Sequence, residues 1–160
     1  MFIINKIILF ICLFFFFSCD TEKRGASYFN KVLIDAIESA SSSVVGIIVE
    51  KVNSSTGKEG FGSGITISSD GYIVTNAHVV DEVSRITVTT IGGNKYLAEI
   101  IGLDILTDLA LLKIEASNLT PARLGDSKEL DRGEWVIALG NPYNLFSVSK
   151  KPTSTIGIIS

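Results

Sequence analysis

The sequence has few of the residue types that hold metals, disulfides or polyanions. Its 160 residues include one histidine, two cysteines and three prolines, and charged residues make up 19% with a net charge of −3. One cysteine lies inside an apolar run near the N-terminus, so a processed chain keeps at most one and has no internal disulfide. One histidine and one cysteine make no metal ligand set, and we expect neither a metal nor a cofactor. The negative charge argues against a nucleic-acid partner.

The N-terminus has the layout of an export signal. A lysine precedes an unbroken apolar run over residues 7–17, which is too short to cross a bilayer of about 30 Å as a helix. The run ends at Ser18-Cys19, which resembles a bacterial lipoprotein signal, although Phe16 stands where leucine is usual. We therefore predict a signal peptide over residues 1–18, lipidation at Cys19, and a periplasmic or cell-envelope lipoprotein. The alternative is plain export with a free Cys19 thiol.

Residues 19–43 are predicted to form a polar tether and one amphipathic helix. Apolar residues recur at i, i+3, i+4, i+7 and i+8, which places them on one helix face. They are Phe29, Val32, Leu33, Ala36 and Ile37, and the serine cluster Ser41 to Ser43 follows them. The serines are expected to end the helix.

From Val44 onward the pattern is that of strands. Apolar or alternating segments recur about every 8 to 12 residues with glycine-rich turns between them. The predicted strands are 44–52, 61–67, one beginning at 73, 86–90, 96–103, 109–114, 135–139 and 156–159. Asp70-Gly71 favours a hairpin because it tolerates positive φ. The sequence therefore predicts an all-β barrel or sandwich rather than βαβ units, with the last strand lacking a partner.

Two residues of this pattern are candidates for catalytic chemistry. His78 lies where an apolar strand gives way to a turn, and Asp108 stands immediately before the strand 109–114. Each alone is more often structural, the histidine as a surface residue and the aspartate as a turn or cap residue. Together they fit acyl transfer, which needs an imidazole to move a proton and a buried carboxylate to fix its tautomer. No other pair in the sequence fits those roles.

Four segments resemble the trypsin-like serine proteases of the HtrA/DegP type. They are Gly62-Ser63-Gly64-Ile65, residues 69–80 (SDGYIVTNAHVV), residues 104–113 and residues 124–142, in the family's order and spacing. The resemblance covers residues 28–160 and implies a pair of antiparallel β-barrels. The first barrel is expected over residues 44–125, and the start of a truncated second barrel over residues 126–160.

The resemblance also assigns roles by position. His78 matches the family's general base and Asp108 its orienting acid in peptide-bond hydrolysis. The family's nucleophilic serine lies in a Gly-Asn-Ser-Gly-Gly segment that also forms the oxyanion hole, and these 160 residues do not contain it. Ser127 is followed by Lys128 and Glu129 rather than by glycines, and Ser63 lacks the flanking glycines of a nucleophile elbow. We expect the chain alone to be inactive, so whether it is an enzyme stays open.

Three functions remain open on the sequence alone. The first is that the chain is the N-terminal part of an exported serine endopeptidase acting on unfolded or misfolded proteins. The second is a non-catalytic lipid-anchored module that binds peptides or a protein. The third is a subunit completed by a separate chain with the second barrel. The resemblance implies a homotrimer formed near the N-terminus, where Tyr28 and Phe29 lie, although packing on the barrel is the simpler role for both.

Overall fold

The computed structural model describes residues 27–52, 59–141 and 146–160. The described residues fall into two units, of which the first ends at Ala36 and the second runs from Ile37 to Ser160. The predicted signal peptide and the predicted lipidation site at Cys19 lie outside the described residues. Within the described ranges, no helix is both long enough and apolar enough to span a membrane.

Helix α1 covers residues 27–41, as the apolar spacing predicts. Lys31 and Asp35 lie one turn apart and form an ion pair of 3.1 Å on its exposed side. Leu33 and Ile37 are half-buried and also lie one turn apart, so they mark the apolar face of the helix.

The second unit contains a closed barrel of six antiparallel strands in the order β1-β2-β3-β6-β5-β4. The strands are β1 (Val44–Lys51), β2 (Glu59–Thr66), β3 (Tyr72–Thr75), β4 (Val83–Thr89), β5 (Lys95–Asp104) and β6 (Leu109–Ile114). Strand β1 pairs with both β2 and β4, which closes the barrel. The predicted all-β barrel with one N-terminal helix is confirmed.

The barrel is filled by side chains that alternate along its strands. In β6, Ala110, Leu112 and Ile114 are buried while Leu109 is exposed, because successive residues of a strand face opposite sides of the sheet. Ten buried residues form one core: Val45, Ile47, Val49, Ile73, Val80, Ile86, Val88, Ala110, Leu112 and Ile114. Each fully buried aliphatic side chain of this kind stabilises the fold by about 1.5–3 kcal/mol.

Two glycines of the barrel lie where an added side chain would crowd a neighbouring residue. A Cβ added at Gly62 of β2 would lie 2.5 Å from Cγ1 of Val79. Gly71 is the last residue of the turn between β2 and β3, and its φ is 108°. A Cβ there would collide with the backbone oxygen of Ile114. The hairpin predicted from Asp70-Gly71 is therefore present, and Gly71 is required by both its dihedral angle and its neighbour.

A two-stranded sheet follows the barrel. Strands β7 (Trp135–Gly140) and β8 (Thr153–Ile158) pair antiparallel, with Trp135 opposite Ile158 and Gly140 opposite Thr153. The expectation that the last strand has no partner is therefore wrong. Pairing with β7 satisfies backbone N–H and C=O groups that a lone strand would leave unpaired.

Asn141 connects the end of β7 to the barrel. Its backbone N donates to Oγ of Ser63 on β2 at 2.7 Å, and its own Oδ1 accepts from the backbone N of Phe146 at 2.6 Å. Asn141 and Phe146 are both buried. Phe146 opens the single-turn helix α3 (Phe146–Ser149). The hydroxyl of Ser63 therefore accepts a structural hydrogen bond.

Candidate active site

The pairing of β3 with β6 brings together residues that are distant in the sequence. Thr75, the last residue of β3, lies opposite Ala110 near the start of β6. Because the two strands are antiparallel, the residues after β3 and those before β6 meet at one rim of the barrel. His78 follows β3 and Asp108 precedes β6, so this register places the two predicted residues side by side.

His78 lies on a single helical turn, α2 (Ala77–Val80), where the sequence predicts an irregular turn. Ala77 and Val80 are buried and fix the inner face of the helix. The backbone N of Ala77 also donates to the backbone O of Asp108 at 3.2 Å. His78 lies on the outer face, where its side chain is 72% exposed.

Asp108 accepts hydrogen bonds from both the ring and the backbone of His78. Nδ1 lies 2.8 Å from Oδ2 and 3.0 Å from Oδ1, and the backbone N of His78 donates to Oδ1 at 3.0 Å. An ionised carboxylate only accepts hydrogen bonds, so Nδ1 is the ring nitrogen that carries the proton. Nε2 of the neutral imidazole is then an acceptor, as a general base requires.

The pKa of the Asp108 carboxyl is held below its ordinary value by these donors. The backbone N–H of His78 is the largest cause, followed by its ring, and a smaller effect comes from the side chain of Asn76. Burial opposes them only in part, because the Asp108 side chain is 43% exposed. The expectation of a buried carboxylate is wrong for the described residues, since Asp108 lies on the rim outside the closed barrel.

The loop before Asp108 is held by a second aspartate. The carboxylate of Asp104 accepts from the backbone N of Leu106 at 3.0 Å and from the backbone N and hydroxyl of Thr107 at 3.3 and 2.7 Å. The hydroxyl of Thr107 is the largest cause of the lowered pKa of Asp104. These bonds restrain the residues that lead into Asp108.

Asn76 is a site residue that the sequence reasoning missed. Its side-chain Nδ2 lies 3.1 Å from Oδ2 of Asp108 and 3.2 Å from the backbone O of Asp108. The available signal was its position, since this polar residue follows an apolar strand and stands two residues before His78. Only the β3–β6 pairing shows what this side chain contacts.

The remaining sequence candidates are placed as follows. Ser127 opens a 3-10 turn, Ser127–Glu129, that is capped by the side chain of Asp126 accepting from the backbone N of Lys128 at 2.9 Å. Cys19 lies outside the described residues. Among the residues that the structure describes, no three His, Cys, Asp or Glu side chains converge in a way that could hold a metal ion.

A family model and several curated proteins match the chain. The model of the trypsin-like peptidase domain matches residues 62–160. A probable periplasmic DegP-like serine endoprotease of Chlamydia muridarum is 50% identical over 99 residues, which is 62% of this chain and 19% of that protein. A putative serine protease HhoB of Synechocystis is 45% identical over 103 residues, covering 64% of this chain and 24% of HhoB.

Solved structures agree with these matches. An HtrA-type protease AlgW with a tripeptide has a TM-score of 0.70 and 34% identity, covering 79% of this chain and 39% of AlgW. A serine endoprotease from Yersinia pestis has a TM-score of 0.66 and 38% identity, with coverages of 78% and 43%. The chain thus spans about a fifth of the length of the curated relatives it matches. By the family match the chain belongs to the trypsin-like peptidase domain family, and it is similar to proteases of the HtrA/DegP type.

Proposed function

We propose that the chain contributes the general base and the orienting acid of an HtrA/DegP-like serine endopeptidase. His78 is the base and Asp108 the acid that orients it. The observation that carries this assignment is the 2.8 Å contact between Nδ1 of His78 and Oδ2 of Asp108, which directs the proton to Nδ1. The names of the relatives, which are serine endoproteases, support the reaction class.

The proposed mechanism moves one proton through Nε2 of His78. As a serine oxygen attacks the peptide carbonyl, Nε2 takes the hydroxyl proton, and the ring becomes an imidazolium. Asp108 stabilises this cation while remaining ionised, in keeping with its lowered pKa. Nε2 then gives the proton to the leaving amine, and the same steps with water release the acyl group.

The serine and the oxyanion donors are proposed to come from a polypeptide segment other than these 160 residues. The sequence contains no Gly-Asn-Ser-Gly-Gly segment. A base and an acid cannot cleave a peptide bond without a nucleophile to attack it, because triad members act as a unit. We therefore expect the 160-residue chain alone to leave peptide bonds intact.

A chimeric protease tests this assignment. The first barrel of the Chlamydia muridarum DegP-like protein is replaced by residues 44–125 of this chain, and casein hydrolysis is measured. We expect an active chimera that loses about 10⁶-fold in kcat with His78→Ala and about 10⁴-fold with Asp108→Asn. Asn94→Ala, at an exposed turn, is the control and should keep the parent rate.

The chimera also separates the catalytic proposal from a binding role. An active chimera whose His78→Ala variant works equally well would overturn the assignment. A folded but inactive chimera would favour the non-catalytic, lipid-anchored module that binds peptides or a protein. Activity in the original chain after mixing with a separate second barrel would show completion in trans.

We also propose export and anchoring through a lipid on Cys19, with unfolded or misfolded proteins as substrates. The apolar run, Ser18-Cys19 and the relatives named periplasmic support export. The intact mass of the protein from the membrane fraction of its own cells tests the anchor. We expect a chain that begins at an acylated Cys19, whereas an unmodified Cys19 would exclude the lipid.

Sedimentation of the same preparation tests the homotrimer implied by the family.

A further inference from the structure

The side chain of Asn76 makes contacts that the proposed mechanism does not use. Nδ2 reaches two oxygens of one residue, Oδ2 of Asp108 at 3.1 Å and its backbone O at 3.2 Å. Oδ2 is also the carboxylate oxygen nearest to Nδ1 of His78, at 2.8 Å. One amide group therefore binds both the backbone of Asp108 and the oxygen that receives the imidazole proton.

The ordinary structural role for an asparagine at this position is absent. Asn76 is the N-cap residue of α2, where its side-chain oxygen would normally accept from the first turn of the helix. The structure shows no side-chain cap bond there. The amide is turned toward Asp108 instead, so helix capping does not account for it.

Asp108 is a residue that needs such a restraint. Its φ is 55°, in the left-handed region that side-chain-bearing residues disfavour. Its carboxylate is 43% exposed, so packing alone does not fix the side-chain rotation. Nδ2 of Asn76 joins the backbone O to Oδ2, and thereby holds the carboxylate in one rotation relative to the chain.

We propose that Asn76 is a positioning residue, which holds the carboxylate of Asp108 so that it receives the Nδ1 proton of His78. The proposal rests on the proposed roles of His78 and Asp108. The small lowering of the pKa of Asp108 by the Asn76 side chain is consistent with it.

The test reads the imidazole of His78 directly. His78 is the only histidine, so the ¹⁵N spectrum of the full chain, made without a histidine tag, contains one ring. At alkaline pH the shifts of the two ring nitrogens give the ratio of the Nδ1–H to the Nε2–H tautomer. We expect Asn76→Ala to lower this ratio by a factor of about 2 to 10, the range for loss of one hydrogen bond.

Two further variants separate positioning from a merely structural role. Asn76→Leu keeps about the size of asparagine and removes the donor without adding a charge, so it should also lower the ratio. Asn94→Ala is the matched control and should leave the ratio unchanged. The proposal is overturned if Asn76→Ala and Asn76→Leu keep both the parent amide spectrum and the parent ratio. The tautomer ratio of the His78 ring is measured without any proteolysis assay. An inactive chimera would therefore contradict the proposed function but not the positioning role of Asn76.

Discussion

The packing of Gly62 against Val79 provides a test of how the barrel positions the helix that carries His78. The three atoms nearest to a Cβ at Gly62 all belong to Val79, at 2.5 Å for Cγ1, 3.1 Å for Cγ2 and 3.4 Å for Cβ. Carbon atoms prefer separations of about 3.5–4.0 Å, so Gly62→Ala must displace Val79 by about 1 Å. Val79 follows His78 on α2, and the displacement therefore reaches the candidate base.

The expected magnitudes follow from these contacts. Overpacking of this kind costs about 1–3 kcal/mol, and Val79→Ala removes two partly buried methyl groups at about 1 kcal/mol. In the double variant both Cγ atoms are gone, and the nearest remaining atom is Cβ of residue 79 at 3.4 Å, an ordinary contact. The double variant should therefore be more stable than the sum of the two costs predicts, with a coupling of about 1–2 kcal/mol.

Urea unfolding of the parent, both single variants and the double variant measures this coupling. In thermal melts 1 kcal/mol corresponds to about 2–4 °C in Tm for a chain of 160 residues. The ring signals of His78 are a second readout, which should move in Gly62→Ala and return toward the parent in the double variant. Additive costs within about 0.3 kcal/mol would refute the reasoning, because the two positions would then be independent.

Two further predictions concern backbone strain and pH. Gly71 and Gly133 both have positive φ, 108° and 93°, but only at Gly71 does a Cβ collide, with the backbone oxygen of Ile114. We expect Gly133→Ala to cost about 1–2 kcal/mol and Gly71→Ala at least about 2 kcal/mol more, and equal urea midpoints would contradict this. The pKa of Asp108 is lowered from 3.8, so its stabilising effect is present above that pH and lost as pH falls through the folded-state pKa. Denaturant midpoints of the parent and Asp108→Asn should therefore converge as pH falls from about 5 to about 2, and a constant difference would contradict the proposed hydrogen bonding.

The fold was predictable where local patterns carry the information. Strand β6 was predicted over its full length, since the apolar run from Leu109 to Ile114 has the length of a strand and is interrupted only by Lys113. The hairpin at Gly71 was predictable because its turn chemistry is local. The pairing of β7 with β8 was not, because a loop and a short helix separate them and neither sequence specifies its partner.

The candidate site was predictable in its members but not in its geometry. His78 and Asp108 were selected by residue type and by the family resemblance. The role of Asn76 depends on the β3–β6 register. This register brings residues 76 and 108 together, although β4 and β5 lie between them in the sequence. The exposure of Asp108 likewise depends on its place at the rim, whereas the sequence shows only that an apolar strand follows it.

The contacts that orient His78 all come from one barrel. Asp108 accepts from the backbone and ring of His78, from Asn76 and, at its backbone oxygen, from Ala77, and all of these residues lie between β3 and β6. The orientation of the base therefore follows from strand pairing that is complete by Ile114. A segment with the nucleophile would add the serine, the oxyanion donors and cover for a ring that is 72% exposed here. On the proposed assignment, the barrel holds the candidate base and acid in place without the nucleophile segment, and completion of the site would change the surroundings of His78 more than its orientation.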